Sequence, residues 1–262
     1  RMESITLMAA IAARTSRVKI GVACMASFPS RNPIVLAYQW ASLDLLSNGR
    51  MILAACMGVP ESENLARIEQ VNMGITNAER APRMEENITI LRKLWSEESV
   101  TFDGRFHKLD GAFIEPKPVQ RPHLPIWLGG GHPNVLKRSV NMADGWMGAG
   151  ASSNSFFKER VVEIRRLLEE AGRSTKDFTI SKRIYISIDS NENRALEGLR
   201  QWFGAGYNNP GGASEFAIWG SPQKCAEILE HVASVGVDHL LLNPVHAFEE
   251  QLEAVAEITG LK

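Results

Sequence analysis

No apolar run in the 262 residues approaches the ~18 that a membrane-spanning helix needs, and no secretory leader pattern opens the sequence. Cysteine is scarce. Cys24, Cys56 and Cys225 lie far apart and form no CxxC pair, which suits neither a disulfide framework nor a structural zinc site. The expected setting is therefore a reducing cytoplasm. An excess of one charge is also lacking: 29 Lys and Arg stand against 30 Asp and Glu, so nothing calls for nucleic acid or a membrane surface as a partner. No Ser/His/Asp order, HExxH, Walker A or EF-hand pattern occurs, which removes the usual signatures of phosphoryl transfer and metal hydrolysis; no metal site is expected. The chain does not begin with Met, and residues 1–15 read as a helix already in progress. Ile5, Met8, Ala9 and Ala12 recur at helical spacing with no cap before them, and the start of the protein is expected to precede this sequence.

What is present is a steady alternation of strand and helix. Strands are expected near residues 20, 53, 127, 147, 183 and 240, the first over 18–26. Asn32-Pro33 starts a helix that stops at Asn48-Gly49. Thr76 and Glu79 have the spacing of a capping box, opening a helix with Met84, Ile88, Leu91 and Trp95 on one face. A polar, proline-rich excursion fills residues 97–125, and Ser221-Pro222 caps a later helix. Such alternation implies a parallel sheet with right-handed crossovers, and so a (β/α) barrel. The barrel needs eight strands; the two not counted would be the first two. Residues 1–262 are read as a single domain, with no composition shift and no internal repeat.

Gly129-Gly130-Gly131 lies between an apolar strand and a helix. Its backbone N–H groups are free to approach an anion at the helix start, or else the glycines merely turn the chain tightly. Strand ends at Ala23-Cys24-Met25 and Cys56-Met57-Gly58 open onto the same face of a barrel, where small and soft side chains border a flat ring or simply pack the core. Cys56 is a candidate reactive thiol. His132, the one histidine at a strand end beside the glycines, is a candidate catalytic residue, with a surface or helix-cap role as its alternative. Residues 201–220 hold Trp202, Phe203, Tyr207, Phe216 and Trp219 among glycines and asparagines. This segment is read as a mobile lid over the substrate or as a long surface loop.

Several stretches together resemble the luciferase-like flavin-dependent oxidoreductases, which include bacterial luciferase, alkane monooxygenases and enzymes using the deazaflavin F420. The residues are Arg31-Asn32-Pro33 with Ala37; Leu43-Asp44-x-Leu46-Ser47-x-Gly49-Arg50; Glu79-Arg80-x-x-Arg83-x-x-Glu86, then Leu91-Arg92-x-Leu94-Trp95; Pro116-x-Pro118-x-Gln120-x-Pro122; Ile126-Trp127-Leu128-Gly129-Gly130; Asp144-Gly145-Trp146; and Gly236-Val237-Asp238-His239. Each is weak alone, but they run along nearly the whole chain in the family's order.

The resemblance implies an eight-stranded TIM barrel of the luciferase-like type whose third strand is the first one here. It places the loop of Gly129, Gly130, Gly131 and His132 by a cofactor phosphate, with Ala23, Cys24, Met57 and Gly58 flanking the ring. It also implies a non-proline cis peptide at Ala23-Cys24 in F420-using relatives, and a homodimer contact through the helix at 33–47. There are departures. Ala54-Ala55-Cys56-Met57-Gly58 replaces the usual Gly-x-Gly. Cys56 matches a reactive cysteine of the luciferase α subunit, and Met57 stands where luciferase has a phosphate-binding Arg. Val59 stands where F420-dependent glucose-6-phosphate dehydrogenase has its acid, which argues against that activity. No general base is identified.

The implied function is a flavin-dependent oxidoreductase acting on a small organic substrate. The family's breadth favours an FMN-dependent monooxygenase supplied with reduced flavin by a separate reductase. The alternative within the family is hydride transfer with F420. Outside it stand a non-catalytic flavin-binding or dimerising barrel and a phosphosugar-handling barrel enzyme.

Overall fold

A computed structural model describes residues 2–58 and 71–261, and the chain forms two compact units, Arg1–Gly129 and Gly130–Lys262. The first contains α1 (Ser4–Arg14), β1 (Ile20–Gly21), a 3-10 turn (Phe28–Ser30), α2 (Pro33–Ser47), β2 (Met51–Ala55), α3 (Asn77–Ser96), β3 (Val100–Asp103), β4 (Lys108–Ala112) and β5 (Ile126–Gly129). Strands β1, β2 and β5 run parallel, with Ile20 opposite Met51 and Leu53 opposite Ile126. The first strand is shorter than the expected 18–26; it resumes only as a bridge from Met25 to Ala55. Strands β3 and β4 form an antiparallel hairpin within the excursion, turning about Asp103-Gly104.

Local signals start the helices of this unit. Asn32 accepts hydrogen bonds from Ile34 N and Val35 N at the head of α2, and Thr76 and Glu79 form the capping box of α3. Helix α1 does have a cap: Glu3 accepts from Thr6 N at 2.8 Å. Leu36, Trp40, Leu91, Leu94 and Trp95 are all at most 2% exposed, and burying a side chain of the Leu class contributes roughly 1.5–3 kcal/mol.

Buried polar groups then tie distant segments to this core. Asp44, fully buried, accepts from Val119 N, Gln120 N and Gln120 Nε2 at 2.7–2.9 Å, clamping the proline-rich excursion to α2. Arg50 donates to the carbonyls of Ala12, Thr15, Val18 and Ser47, satisfying the free carbonyls at the ends of α1 and α2. Asn87 Nδ2 donates to Phe28 O and Arg31 O, and Trp95 Nε1 to Ala37 O.

The second unit contains α4 (Pro133–Met142), β6 (Gly145–Gly148), α5 (Asn154–Glu170), β7 (Thr179–Ile188), α6 (Glu192–Tyr207), α7 (Gly212–Phe216), β8 (Ile218–Gly220), α8 (Pro222–Ser234), β9 (His239–Pro244) and α9 (Phe248–Ile258). Strand β7 pairs in parallel with β6, with β9 from Ser181 to Ile186, and with β8 from Ile186 to Ile188. Its side chains alternate, as a strand requires. Ile180 packs with Phe157 and Leu168, while Ile184, Ile186 and Ile188 pack with Cys225, Leu229 and Val232. Ser181, Arg183, Tyr185 and Ser187 point to the other face.

Residues 201–220 differ from the irregular segment expected there. They comprise the end of α6, the short α7 and a seventh parallel strand, β8, absent from the count of six. Ala195, Leu196, Leu199 and Phe203 give α6 a buried face and Asn191 caps it, accepting from Arg194 N at 3.2 Å. Phe203 is only 1% exposed.

Candidate functional site

In the first unit the candidate residues gather at the ends of β2 and β5. Met25 N donates to Ala54 O at 2.8 Å, and Cys56 N donates to Met25 O at 3.2 Å. These bonds lay the segment through Ala23 and Cys24 along the end of β2. The Ala23–Cys24 bond is cis, as the resemblance implies for F420-using relatives. Ala23, Cys24, Cys56, Met57, Gly58 and Gly129 are all half-buried. Gly129 has no room for a side chain: a Cβ there would lie 2.9 Å from Cys24 Sγ and 3.4 Å from the Cβ atoms of both Cys24 and Cys56. The structure thus brings the two cysteines and Gly129 together. Val59 lies outside the described residues.

In the second unit Gly130 adopts φ +133°, donates to Met147 O and accepts from Trp146 Nε1. Gly131 lies against the Phe156 ring, where a Cβ would come within 2.5 Å of Cε1. His132 is exposed and caps α4: its Nδ1 accepts from Asn134 N at 3.2 Å, which makes the histidine a helix cap. Among the described residues, nothing accepts from the N–H groups of Gly131 and His132. Two unpaired donors at the positive end of a ten-residue helix suit a phosphate group.

Sequence reasoning missed the polar face of β7. Arg183 donates to Asn243 Oδ1 through Nε at 3.0 Å and Nη2 at 2.7 Å, and its guanidinium lies 4.7 Å from the Tyr185 ring. Tyr185 and Tyr207 share a hydrogen bond of 2.7 Å between hydroxyls, and Ser187 Oγ meets His246 Nε2 at 2.9 Å. The alternation of Ser181, Arg183, Tyr185 and Ser187 with isoleucines was the available signal. Of the expected lid aromatics, Trp202, Phe203 and Tyr207 pack on Tyr185 with centroids 4.5–6.3 Å away, and Phe216 joins through Phe203 at 6.4 Å. Trp219 packs against the same cluster and carries Lys224 Nζ over its ring at 4.2 Å.

Two further titratable groups are buried on the helix side. Burial pushes Lys182 down to about 8; its ammonium donates to Ser152 O at 3.1 Å and lies 4.9 Å from the Phe157 ring. Burial pushes the Cys225 thiol up to about 11. Among the described residues, no group of three or more His, Cys, Asp and Glu is placed to hold a metal ion, and no helix is long and apolar enough to cross a membrane.

Known proteins resemble the chain in sequence and in fold. It is 32% identical over 196 residues to an F420-dependent glucose-6-phosphate dehydrogenase of Kineococcus radiotolerans, a match covering 73% of this chain and 56% of that protein. The corresponding protein of Amycolatopsis mediterranei is 31% identical over 74% of this chain and 57% of its own length. The chain therefore spans little more than half the length of these relatives. Among solved structures, an F420-dependent secondary alcohol dehydrogenase in complex with an F420-acetone adduct superposes with a TM-score of 0.81 at 22% identity, covering 97% of this chain and 84% of its own. The coenzyme F420 dependent tetrahydromethanopterin reductase of Methanopyrus kandleri gives 0.80 at 20% identity over 98% and 86%. EDTA monooxygenase from Chelativorans sp. BNC1 gives 0.79 at 17% over 99% and 77%. The fold is the luciferase-like α/β barrel type of these neighbours. A sequence profile of the luciferase-like monooxygenases matches residues 1–239, and the chain belongs to that family.

Proposed function

We propose that the chain carries the cofactor-binding core of an oxidoreductase that uses coenzyme F420 and exchanges a hydride with a small organic substrate. The observation that carries this reading is the 32% and 31% identity to proteins named F420-dependent glucose-6-phosphate dehydrogenase, over 73% and 74% of the chain. It favours the F420 alternative over the FMN-dependent monooxygenase that family breadth alone suggested.

F420, when bound, supplies the hydride chemistry, and the protein supplies binding and orientation. The N–H groups of Gly131 and His132, unpaired among the described residues, are offered to a cofactor phosphate. Ala23, Cys24, Met57 and Gly58, small or soft groups at strand ends, are offered to the ring. Trp202, Tyr207, Phe216 and Trp219, each half-buried, present aromatic faces to an apolar or flat substrate, with buried Phe203 as their anchor. Helix α2 exposes Val35, Tyr38, Leu45 and Leu46, the last at 69%; this apolar face serves as the contact of a homodimer.

The test is a side-by-side fluorescence titration of the purified protein with F420 and FMN, each oxidised and reduced. F420 is expected to bind, and a candidate substrate then to change its fluorescence as hydride is transferred. Tight binding of FMN with none of F420 overturns the reading.

A further inference from the structure

Cys24 and Cys56 come from separate segments of the first unit. The bridge from Met25 to Ala55 sets them on one face of the sheet, since alternate residues share a face. Both lie beside Gly129. The site of an added Gly129 Cβ is 3.4 Å from the Cβ of each cysteine, so the two Cβ atoms can be no farther apart than twice that distance. A disulfide holds its Cβ atoms about 3.5–4.5 Å apart. Cys24 Sγ comes within 2.9 Å of the same point. Glycine at 129 adds no side chain of its own to this space. Both cysteines are half-buried, which leaves them within reach of a small solute.

We propose that Cys24 and Cys56 form a redox-active dithiol, a modification site that a small two-electron oxidant of the peroxide class closes into a disulfide. One thiolate attacks hydrogen peroxide: an S–O bond forms, the O–O bond breaks and, with a proton, water leaves. The second thiolate attacks the resulting sulfenic sulfur: the S–S bond forms, the S–O bond breaks and a second water leaves. The thiols together lose two electrons and two protons, and the peroxide is reduced to two waters. A dithiol reductant reverses the change. Cys225 is the internal contrast. It is fully buried and donates to Gly220 O at 3.5 Å. The inference is independent of which cofactor the protein takes.

The experiment treats the purified full chain with stoichiometric hydrogen peroxide, blocks remaining thiols with iodoacetamide under denaturing conditions, and maps tryptic peptides without reductant. The peptide of residues 20–31 and the peptide beginning at Met51 are expected to appear joined, lighter by two hydrogen atoms than their sum. Dithiothreitol should separate them, and Cys225 should be recovered alkylated. Cys24→Ser and Cys56→Ser, near-isosteric changes, should each abolish the joined peptide and leave the surviving cysteine as a sulfenic or sulfinic acid. Recovery of both wild-type cysteines alkylated, their separate oxidation to sulfinic acids, or a link found only between two copies on a non-reducing gel overturns the proposal.

Discussion

Replacing Asp44 by alanine would strip two backbone donors of their acceptor and leave Gln120 Nε2 with Met51 O alone. Val119 N, Gln120 N and Gln120 Nε2 all donate to this carboxylate, at 2.8, 2.9 and 2.7 Å. Each donor left unsatisfied costs roughly 1–3 kcal/mol. Loss of the buried charge offsets part of that sum, because its desolvation cost of several kcal/mol disappears with it. The expected net loss is about 3–5 kcal/mol, the range for breaking a buried charged network. Asp44→Asn keeps one acceptor oxygen but turns an amide toward a donor, and should lose about 1–2 kcal/mol. Urea unfolding followed by tryptophan fluorescence measures both, and an unchanged slope would show that the compactness of the states is unaltered. Limited proteolysis should cut first within residues 113–125, the segment Asp44 holds. A loss below about 1 kcal/mol for the alanine variant, or first cuts elsewhere, refutes the clamp.

Gly129→Ala should destabilise the protein by about 1–3 kcal/mol, because the new methyl meets Cys24 Sγ at 2.9 Å; a thermal midpoint equal to wild type contradicts this. Gly131→Ala meets first the edge of the Phe156 ring, at 2.5 Å from Cε1, so pairing it with Phe156→Ala should recover most of its cost in a double-mutant cycle. Leu46→Asp places a charge on the exposed face of α2 and should yield a monomer by light scattering, with an unchanged circular dichroism spectrum. Lys182 predicts a pH effect of definite sign. Its folded pKa of about 8 lies below the ordinary 10.5, so the cost of burying the charge is fully present below pH 8 and is relieved between there and 10.5, where the unfolded chain binds the extra proton. Stability relative to Lys182→Met should therefore rise across that window by up to roughly 3 kcal/mol; a pH-independent difference refutes the assignment.

Much of the fold was legible because its signals are local. Asn32-Pro33, the pair Thr76 and Glu79, and Ser221-Pro222 each begin a helix where the sequence places one, since a cap acts on backbone within its own first turn. Strand β8 carries no such signal: three residues ending in Gly220 become a strand only through pairing with Ile186 and Ile188. Helix α6 had both a cap in Asn191 and a spaced apolar face, but its glycines and aromatics read more strongly as a loop. The three consecutive glycines likewise look alike in sequence and differ in cause. Gly129 yields to Cys24, Gly130 takes a positive φ, and Gly131 yields to Phe156.

The residues that carried the family resemblance explain why fold outran chemistry. Asp44, Arg50, Trp95 and Gln120 were quoted as motif, and each, buried or half-buried, ties segments far apart in sequence. A tie of this kind must match its partner's geometry, so its residue type and position specify the fold around it. The groups placed at strand ends answer to whatever they bind instead. Here they read Ala54-Ala55-Cys56-Met57-Gly58, where the family pattern has Gly-x-Gly. Cys24 and Cys56 both lie beside Gly129, a relation among three segments that no spacing along the chain expresses. The chemistry of this protein is therefore to be sought in the side chains least accounted for by the motifs that identify it.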